Sequence, residues 1–182
     1  MTVLEATNLI RDGAGDAAGQ TWADLGAGEG TFTRALSKLV GEEGSVIALD
    51  HDDAAIEQLR RLSQSIHKPR IDVIAGDVTD LRNAALQDIH LDGALLANVL
   101  HFIRDPADVL VQVRERLWPH GRVVVVEYEN RAASRWVPHP LPLDRLHEVA
   151  ADAGFAGVVE TGRRKSRYQG ELYCALLTWR HR

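Results

Sequence analysis

Asp24-Leu25-Gly26-Ala27-Gly28-Glu29-Gly30 closes an apolar run at residues 21–25 and opens a pattern with Phe32, Leu36, Leu39 and Val40 at helical spacing. A strand that ends in a glycine-rich turn and feeds a helix is one step of an open parallel sheet. In such sheets, ligands sit beyond the carboxyl ends of the strands. Glycines at alternate positions let the backbone turn tightly and approach a ligand with no Cβ in the way. The spacing departs from a dinucleotide site, because G-x-G-x-x-G needs a third glycine where Thr31 stands. Charge points the same way. Asp24 precedes the turn and Glu29 lies inside it, and two carboxylates there repel a pyrophosphate and favour a ligand with an ammonium and a sulfonium.

Working outward, residues 1–19 read as a short N-terminal segment ending in a Gly-rich connector at residues 11–19, with one domain over residues 20–182. Further strands are predicted at residues 45–50, 71–75, 91–97, 123–126, 157–160 and 172–179. Asp52 or Asp53 caps a helix with the stripe Ile56, Leu59, Leu62 and Ile66. Residues 79–90 are weakly patterned, a loop with a short helix. Asp105-Pro106 supplies an N-cap acid and a first-turn proline to a helix burying Val109, Leu110, Val113 and Leu117, ended by Pro119 and Gly121. A linker at residues 130–142 leads to a helix burying Leu143, Leu146, Val149 and Ala153, with Gly154 at its C′ position. The last two strands have no helix between them and must pair antiparallel. Arg163 to Arg167 then form a solvated basic hairpin turn, and Cys174 is a core residue. The pattern is an α/β chain with a seven-stranded, mostly parallel sheet, helices on both faces and a C-terminal antiparallel hairpin.

The strand ends carry the chemistry. Asp50 closes the second strand, where an acid accepts hydrogen bonds from both ribose hydroxyls. Asp77 follows the third strand, so its carboxylate can accept from an exocyclic adenine amine while Val78 packs on the ring. Asn98 and Glu127 end the next two strands. These groups describe a ligand with a free amine, a ribose and an adenine but no phosphate, and S-adenosylmethionine fits.

Asp24-Leu-Gly-Ala-Gly-Glu-Gly30, Ala48-Leu-Asp50, Gly76-Asp77-Val78 and Asn98-Val-Leu-His101 together resemble the ordered motifs of class I S-adenosylmethionine-dependent methyltransferases. The match covers roughly residues 20–180 and is similar to the small, cap-less, quinone-biosynthesis-like branch. The resemblance implies a Rossmann-like fold and S-adenosyl-L-methionine as cofactor. It places Gly26, Ala27, Gly28 and Gly30 along the cofactor, Asp24 at its ammonium end and Asp50 at the ribose, with His51 also among the cofactor-binding residues. Asp77 and Val78 fall at the adenine and Asn98 at the methyl-donor end.

The implied activity is in-line methyl transfer to a small organic molecule. An oxygen nucleophile also needs deprotonation, for which His101 is the candidate catalytic base; a structural or pocket-lining histidine is an equal reading. Residues 98–104, the loop 128–141 and the N-terminal segment are expected to wall the acceptor site, with His101, Tyr128, Trp136 and His139 as substrate candidates. By comparison within the superfamily, Asn98-Val-Leu-His lacks the Pro-Pro of amino-group methylases, and the single Cys174 does not suit multi-cysteine arsenic chemistry. The metal-dependent catechol type wants acids clustered near the fourth strand, and these are missing. No histidine or carboxylate pair has metal-ligand spacing, so no metal is expected.

A net charge of -5 gives no global attraction to nucleic acid, which is not the expected partner. One cysteine excludes an internal disulfide framework and suits a reducing compartment. No run of about eighteen apolar residues predicts a membrane span, and residues 1–19 lack the h-region of a signal peptide, so cytoplasm is the expected location. A homodimer is one way to complete the pocket, although no residue pattern specifies it. Three alternatives stand beside the main reading: an RNA or protein methyltransferase using the basic run, a non-catalytic S-adenosylmethionine-binding partner subunit, and a disfavoured dinucleotide oxidoreductase.

Overall fold

Val46, Ile47, Ala48 and Leu49 are all buried, as required of a strand covered on both faces. They belong to β2 (Ser45–Asp50), which pairs in parallel with β1 (Thr21–Leu25) on one side and β3 (Arg70–Ala75) on the other. β4 (Leu91–Ala97) pairs in parallel with β1, and β5 (Leu117–Tyr128) with β4. β7 (Glu171–Thr178) runs antiparallel to β5, and β6 (Gly157–Lys165) antiparallel to β7. The seven-stranded order is β3-β2-β1-β4-β5-β7-β6, so the chain reverses direction across the sheet between β1 and β4. The computed structural model describes residues 1–82, 86, 89–166 and 170–178.

Each face of the sheet has its own core. Ile10, Leu36 and Leu59, from α1 (Val3–Ala14), α2 (Thr31–Val40) and α3 (Asp53–Ser65), pack with Trp22, Val46 and Leu95. Leu110, Val113, Leu146 and Val149, from α4 (Pro106–Arg114) and α5 (Leu143–Asp152), pack with Ala23, Ile47 and Val125 on the other. Asp52 caps α3, its side chain accepting from the Ala55 N–H at 2.9 Å, and Gly154 follows α5 with φ +81°.

Several expectations are corrected. Residues 11–14 are not connector but the end of α1, which opens with a reciprocal capping box between Thr2 and Glu5 and packs on α2 and β6. The predicted connector therefore shrinks to the stretch after Ala14. Leu117 leaves the helix: α4 stops at Arg114, and Leu117 pairs with Leu91 at the start of β5. The register then jumps to Gly93 opposite Arg122, so Pro119 sits in the irregular segment, where its missing N–H breaks no ladder bond. Asp105 stands at the N-cap position of α4 but its side chain makes no capping bond; Pro106 alone supplies the start signal. In the stretch 79–90, expected as a loop with a short helix, Thr79 and Asp80 complete the 3₁₀ turn Val78–Asp80, in keeping with that expectation, and residues 83–85 and 87–88 lie outside the described residues.

The basic run is also corrected. Arg163, Arg164 and Lys165 are in β6 opposite Tyr173, Leu172 and Glu171, not in a turn. Carboxylates hold the two arginines in place: Arg163 bonds Glu160 at 2.6 Å and Glu171 at 3.3 Å, and Arg164 bonds Glu5 at 2.8 Å. Arg167 and Trp179 lie outside the described residues.

Candidate active site

The turn after β1 is fastened to β2 by hydrogen bonds from the Gly26 and Ala27 N–H groups to the Leu49 carbonyl at 2.8 and 3.0 Å. Gly28 donates its N–H to Asp50 Oδ2 at 2.7 Å, while Asp50 Oδ1 accepts from the Asp52 N–H at 2.9 Å. Gly28 has φ +52°, and a Cβ built there meets nothing within 4 Å, so its open side faces the cleft. Gly30 has φ +79° and faces the core instead, where a Cβ would lie 2.8 Å from Leu62 Cδ2. Two glycines that look equivalent in the motif thus do different work, one at the cleft and one against α3.

Asp24 lies beneath this turn. It is buried, and Thr33 Oγ1 donates to its Oδ2 at 2.7 Å. Burial pushes its carboxyl up to about 7; the Thr33 bond opposes the shift, and the neighbouring Asp50 charge adds to it. Asp24 is not in the wall of any of the three cavities around the turn. The expected direct contact of Asp24 with an ammonium group is therefore not what the geometry offers: the carboxyl is sealed beneath the turn.

The first cavity, about 390 Å³, runs beside the ends of β2 and β3 and is lined by Asp50, His51, Asp77, Val78 and Asn98 among others. Asp77 Oδ1 accepts from both the Thr79 N–H at 2.8 Å and Thr79 Oγ1 at 2.7 Å, which lowers its pKa and caps the 3₁₀ turn. The second cavity, about 330 Å³, is lined by Gly26, Ala27, Gly28 and Glu29 on one side and by Met1, Tyr128, Arg164 and Lys165 on the other. The third, about 440 Å³, is lined by Asn98, His101, Phe102, Tyr128, Arg131 and Trp136.

Asn98 borders all three cavities. It has φ +57°, a conformation that asparagine adopts more readily than most residues, and its N–H is anchored on the Val126 carbonyl at 2.8 Å. Its Oδ1 is buried with no hydrogen-bond partner among the described residues. Asn98 thus combines a left-handed backbone with an unsatisfied buried acceptor at the junction of three cavities.

His101 sits in the 3₁₀ turn Leu100–Phe102 that follows β4, and this turn carries it over the end of β5. Its Nδ1 is 2.6 Å from Glu127 Oε2, and its N–H donates to Glu127 Oε1 at 3.2 Å. Both side chains are buried; Nδ1 faces the carboxylate, and His101 also lines the third cavity. Sequence reasoning noted Glu127 as a strand-end acid but gave it no role. The signal was there: a glutamate directly after the buried run Val123–Val126 needs a partner if it stays inside. Phe102 and Trp136 are exposed at the cavity mouth, and the Arg131 guanidinium lies 4.6 Å from the Tyr128 ring centroid. His139 gives its backbone N–H to the His101 carbonyl at 2.9 Å, but its side chain is exposed.

Five parallel strands in the order 3-2-1-4-5, completed by a reversed β7 beside β5, form the fold of class I S-adenosylmethionine-dependent methyltransferases. The chain belongs to the family described as methyltransferase domain, whose profile matches residues 16–167. It is 33% identical over 156 residues to an uncharacterized 37.1 kDa protein in transposon Tn4556 of Streptomyces fradiae, covering 76% of this chain and 44% of that one. It is 30% identical over 155 residues to the ubiquinone/menaquinone biosynthesis C-methyltransferase UbiE of Cronobacter sakazakii, covering 79% and 59%. The chain spans about half the length of the curated relatives it matches. The crystal structure of an arsenic(III) S-adenosylmethionine methyltransferase from Chlamydomonas reinhardtii superposes with a TM-score of 0.73 over 98% of this chain and 73% of that one. At 21% identity, this is likeness of fold alone.

Proposed function

We propose that this chain is a methyltransferase that binds S-adenosyl-L-methionine across the ends of β1, β2 and β3 and methylates a hydroxyl of a small organic molecule. The observation that carries this reading is the Glu127–His101 pair in an aromatic cavity that shares Asn98 with the two cavities at the glycine turn. The residues present fit the cofactor. Asp50 and Asp77 offer carboxylates to a ribose and an adenine amine, Gly28 leaves room at the turn, and Asn98 Oδ1 waits for a donor. When bound, S-adenosylmethionine supplies the methyl group, its sulfur keeping the electron pair as the carbon leaves.

What remains for the chain is placement and proton handling. Phe102, Tyr128 and Trp136 offer flat apolar surface to a planar acceptor. His101 Nε2 takes the hydroxyl proton, and Glu127 holds the ring in the tautomer that leaves Nε2 free and stabilises the imidazolium that results. His51 and Val78 complete the adenosine side. His139 acts through its backbone bond to His101.

We favour a small-molecule acceptor over RNA, because Arg163 and one arm of Arg164 are engaged by carboxylates. The chain's own Met1 also lines the second cavity, a wall for which a homodimer had been one expected source. Among the described residues, no helix is long and apolar enough to cross a membrane. The proposal places the chain in the cytoplasm, where the buried Cys174 thiol, pushed up to about 11 by its burial, stays reduced.

Calorimetry with S-adenosylmethionine and S-adenosylhomocysteine, followed by a screen of hydroxylated aromatic acceptors with mass spectrometry, tests this. Saturable binding of both ligands and a mass gain of one methyl group are expected. Binding with no acceptor turned over would instead favour a non-catalytic cofactor-binding subunit. Uptake of a nicotinamide nucleotide, with neither methyl-donor ligand bound, would sink the reading.

A further inference from the structure

The 330 Å³ cavity at the glycine turn is walled on its far side by the end of β6, which class-defining motifs do not reach. Arg164 stands there. Its Nη2 donates to Glu5 Oε1 at 2.8 Å, which ties β6 to the first turn of α1. Glu5 is held well down, at about 2, chiefly by this bond. The other terminal nitrogen, Nη1, is buried with no hydrogen-bond partner among the described residues.

Two unsatisfied polar atoms therefore belong to residues lining one cavity: a pure acceptor, Asn98 Oδ1, and a cationic donor, Arg164 Nη1. A buried polar atom left unmatched costs stability unless a ligand matches it. The complement of an acceptor and a guanidinium is a ligand with one ammonium and one carboxylate, an α-amino acid. A phosphate is a poor complement, since Glu29 lines the same cavity and a dianion has nothing to donate to Asn98. An arginine fork is also well suited to a carboxylate.

We infer that Arg164 is the carboxylate anchor for the amino-acid end of the bound methyl donor, with Asn98 Oδ1 accepting from its ammonium. The inference rests on the S-adenosylmethionine reading above and adds a specificity residue on the antiparallel hairpin. Glu5 is a positioning residue. It holds one arm of the guanidinium and leaves the other unmatched beside the cavity that Arg164 lines, and it couples the first turn of α1 to that wall.

The test compares S-adenosylmethionine with decarboxylated S-adenosylmethionine, which keeps the amine and the sulfonium and lacks only the carboxylate. Calorimetry on the wild-type chain should show the carboxylated donor bound about tenfold or more tighter, the usual range for a charge-assisted bond. In Arg164→Gln this preference should fall to within about threefold, while affinity for the decarboxylated donor stays near wild type. In Glu5→Gln the α1–β6 ion pair is cut but the guanidinium remains, and most of the preference should persist. Retention of the full preference by Arg164→Gln overturns the inference and leaves the arginine a strut between α1 and β6. Equal loss in both variants also overturns it, because loosening of α1 would then explain the effect. Should Arg164→Gln fail to fold, Arg164→Lys keeps the charge without the fork, and an undiminished preference there removes the role of the fork. If the wild type binds neither donor, the cofactor reading itself falls, a different result from binding both donors equally.

Discussion

His101 Nδ1 stands 2.6 Å from Glu127 Oε2, with the histidine side chain 3% exposed and the glutamate fully enclosed. The pair joins the turn after β4 to the last residues of β5, so the same contact shapes the cavity and stabilises the sheet. Removing one partner of a buried hydrogen-bonded pair leaves the other unsatisfied, which typically costs about 1–3 kcal/mol and more where the remaining group is charged. His101→Ala should therefore lower unfolding free energy in urea by an amount of that order. Glu127→Gln, which keeps an acceptor near Nδ1, should lose less. For turnover, His101→Gln should reduce kcat by about 10²–10⁴-fold, as expected for loss of a general base. A fall in stability with kcat unchanged would leave the pair a purely structural device.

Asp24 makes stability depend on pH in a direction opposite to most surface acids. Its carboxyl is raised from its ordinary 3.8 to about 7, first by burial and then by the charge of Asp50. Between these two values the folded chain holds a proton that the unfolded chain has released, so stability falls as pH rises through the window. The contribution of protonated Asp24 is complete below about pH 4 and lost above about pH 7. Urea melts of wild type and Asp24→Asn across pH 4 to 8 should diverge, with the variant gaining relative stability toward high pH. A constant difference across that range would show that Asp24 titrates normally. A cationic donor near the turn adds a second readout: its affinity should rise with pH through neutrality in the wild type and lose that slope in Asp24→Asn.

Gly28 and Gly30 separate binding from folding within one motif. Gly28→Ala meets no steric block within 4 Å and bears only the cost of a left-handed residue, about 1–2 kcal/mol, while placing a methyl in the cleft. Gly30→Ala brings its Cβ to 2.8 Å from Leu62 Cδ2 and 3.1 Å from Leu59 Cδ2, adding an overpacking cost of about 1–3 kcal/mol. Thermal melts should rank Gly30→Ala as the less stable variant. Calorimetry should rank Gly28→Ala as the weaker binder of S-adenosylhomocysteine, by about tenfold or more relative to wild type. The reverse ranking would mean that the turn does not face the cofactor as its geometry indicates.

Most of the sheet was legible because its signals are local. The apolar runs of β1 to β4, the stripe of α3, the cap at Asp52 and Gly154 after α5 each follow from residues a few positions apart, and periodicity reports such spacing directly. The strand-end motif residues were legible for the same reason. Sequence reasoning failed where local signals conflicted. Helical spacing through Leu117 competed with the strand ladder to Leu91 and lost. The basic run looked like a turn until cross-strand partners and carboxylates placed its first residues inside β6.

Spacing along the chain determined that glycines and acids would gather at the carboxyl ends of a parallel sheet. It could not decide which carboxylate would face a cavity and which would be sealed under the turn, as Asp24 is by Thr33. Nor could it pair His101 with Glu127 across two strands, or Arg164 with Glu5 from the opposite end of the chain. Those contacts follow from strand order and register, which bring distant residues to hydrogen-bond range. Their energies depend on burial that no local pattern encodes.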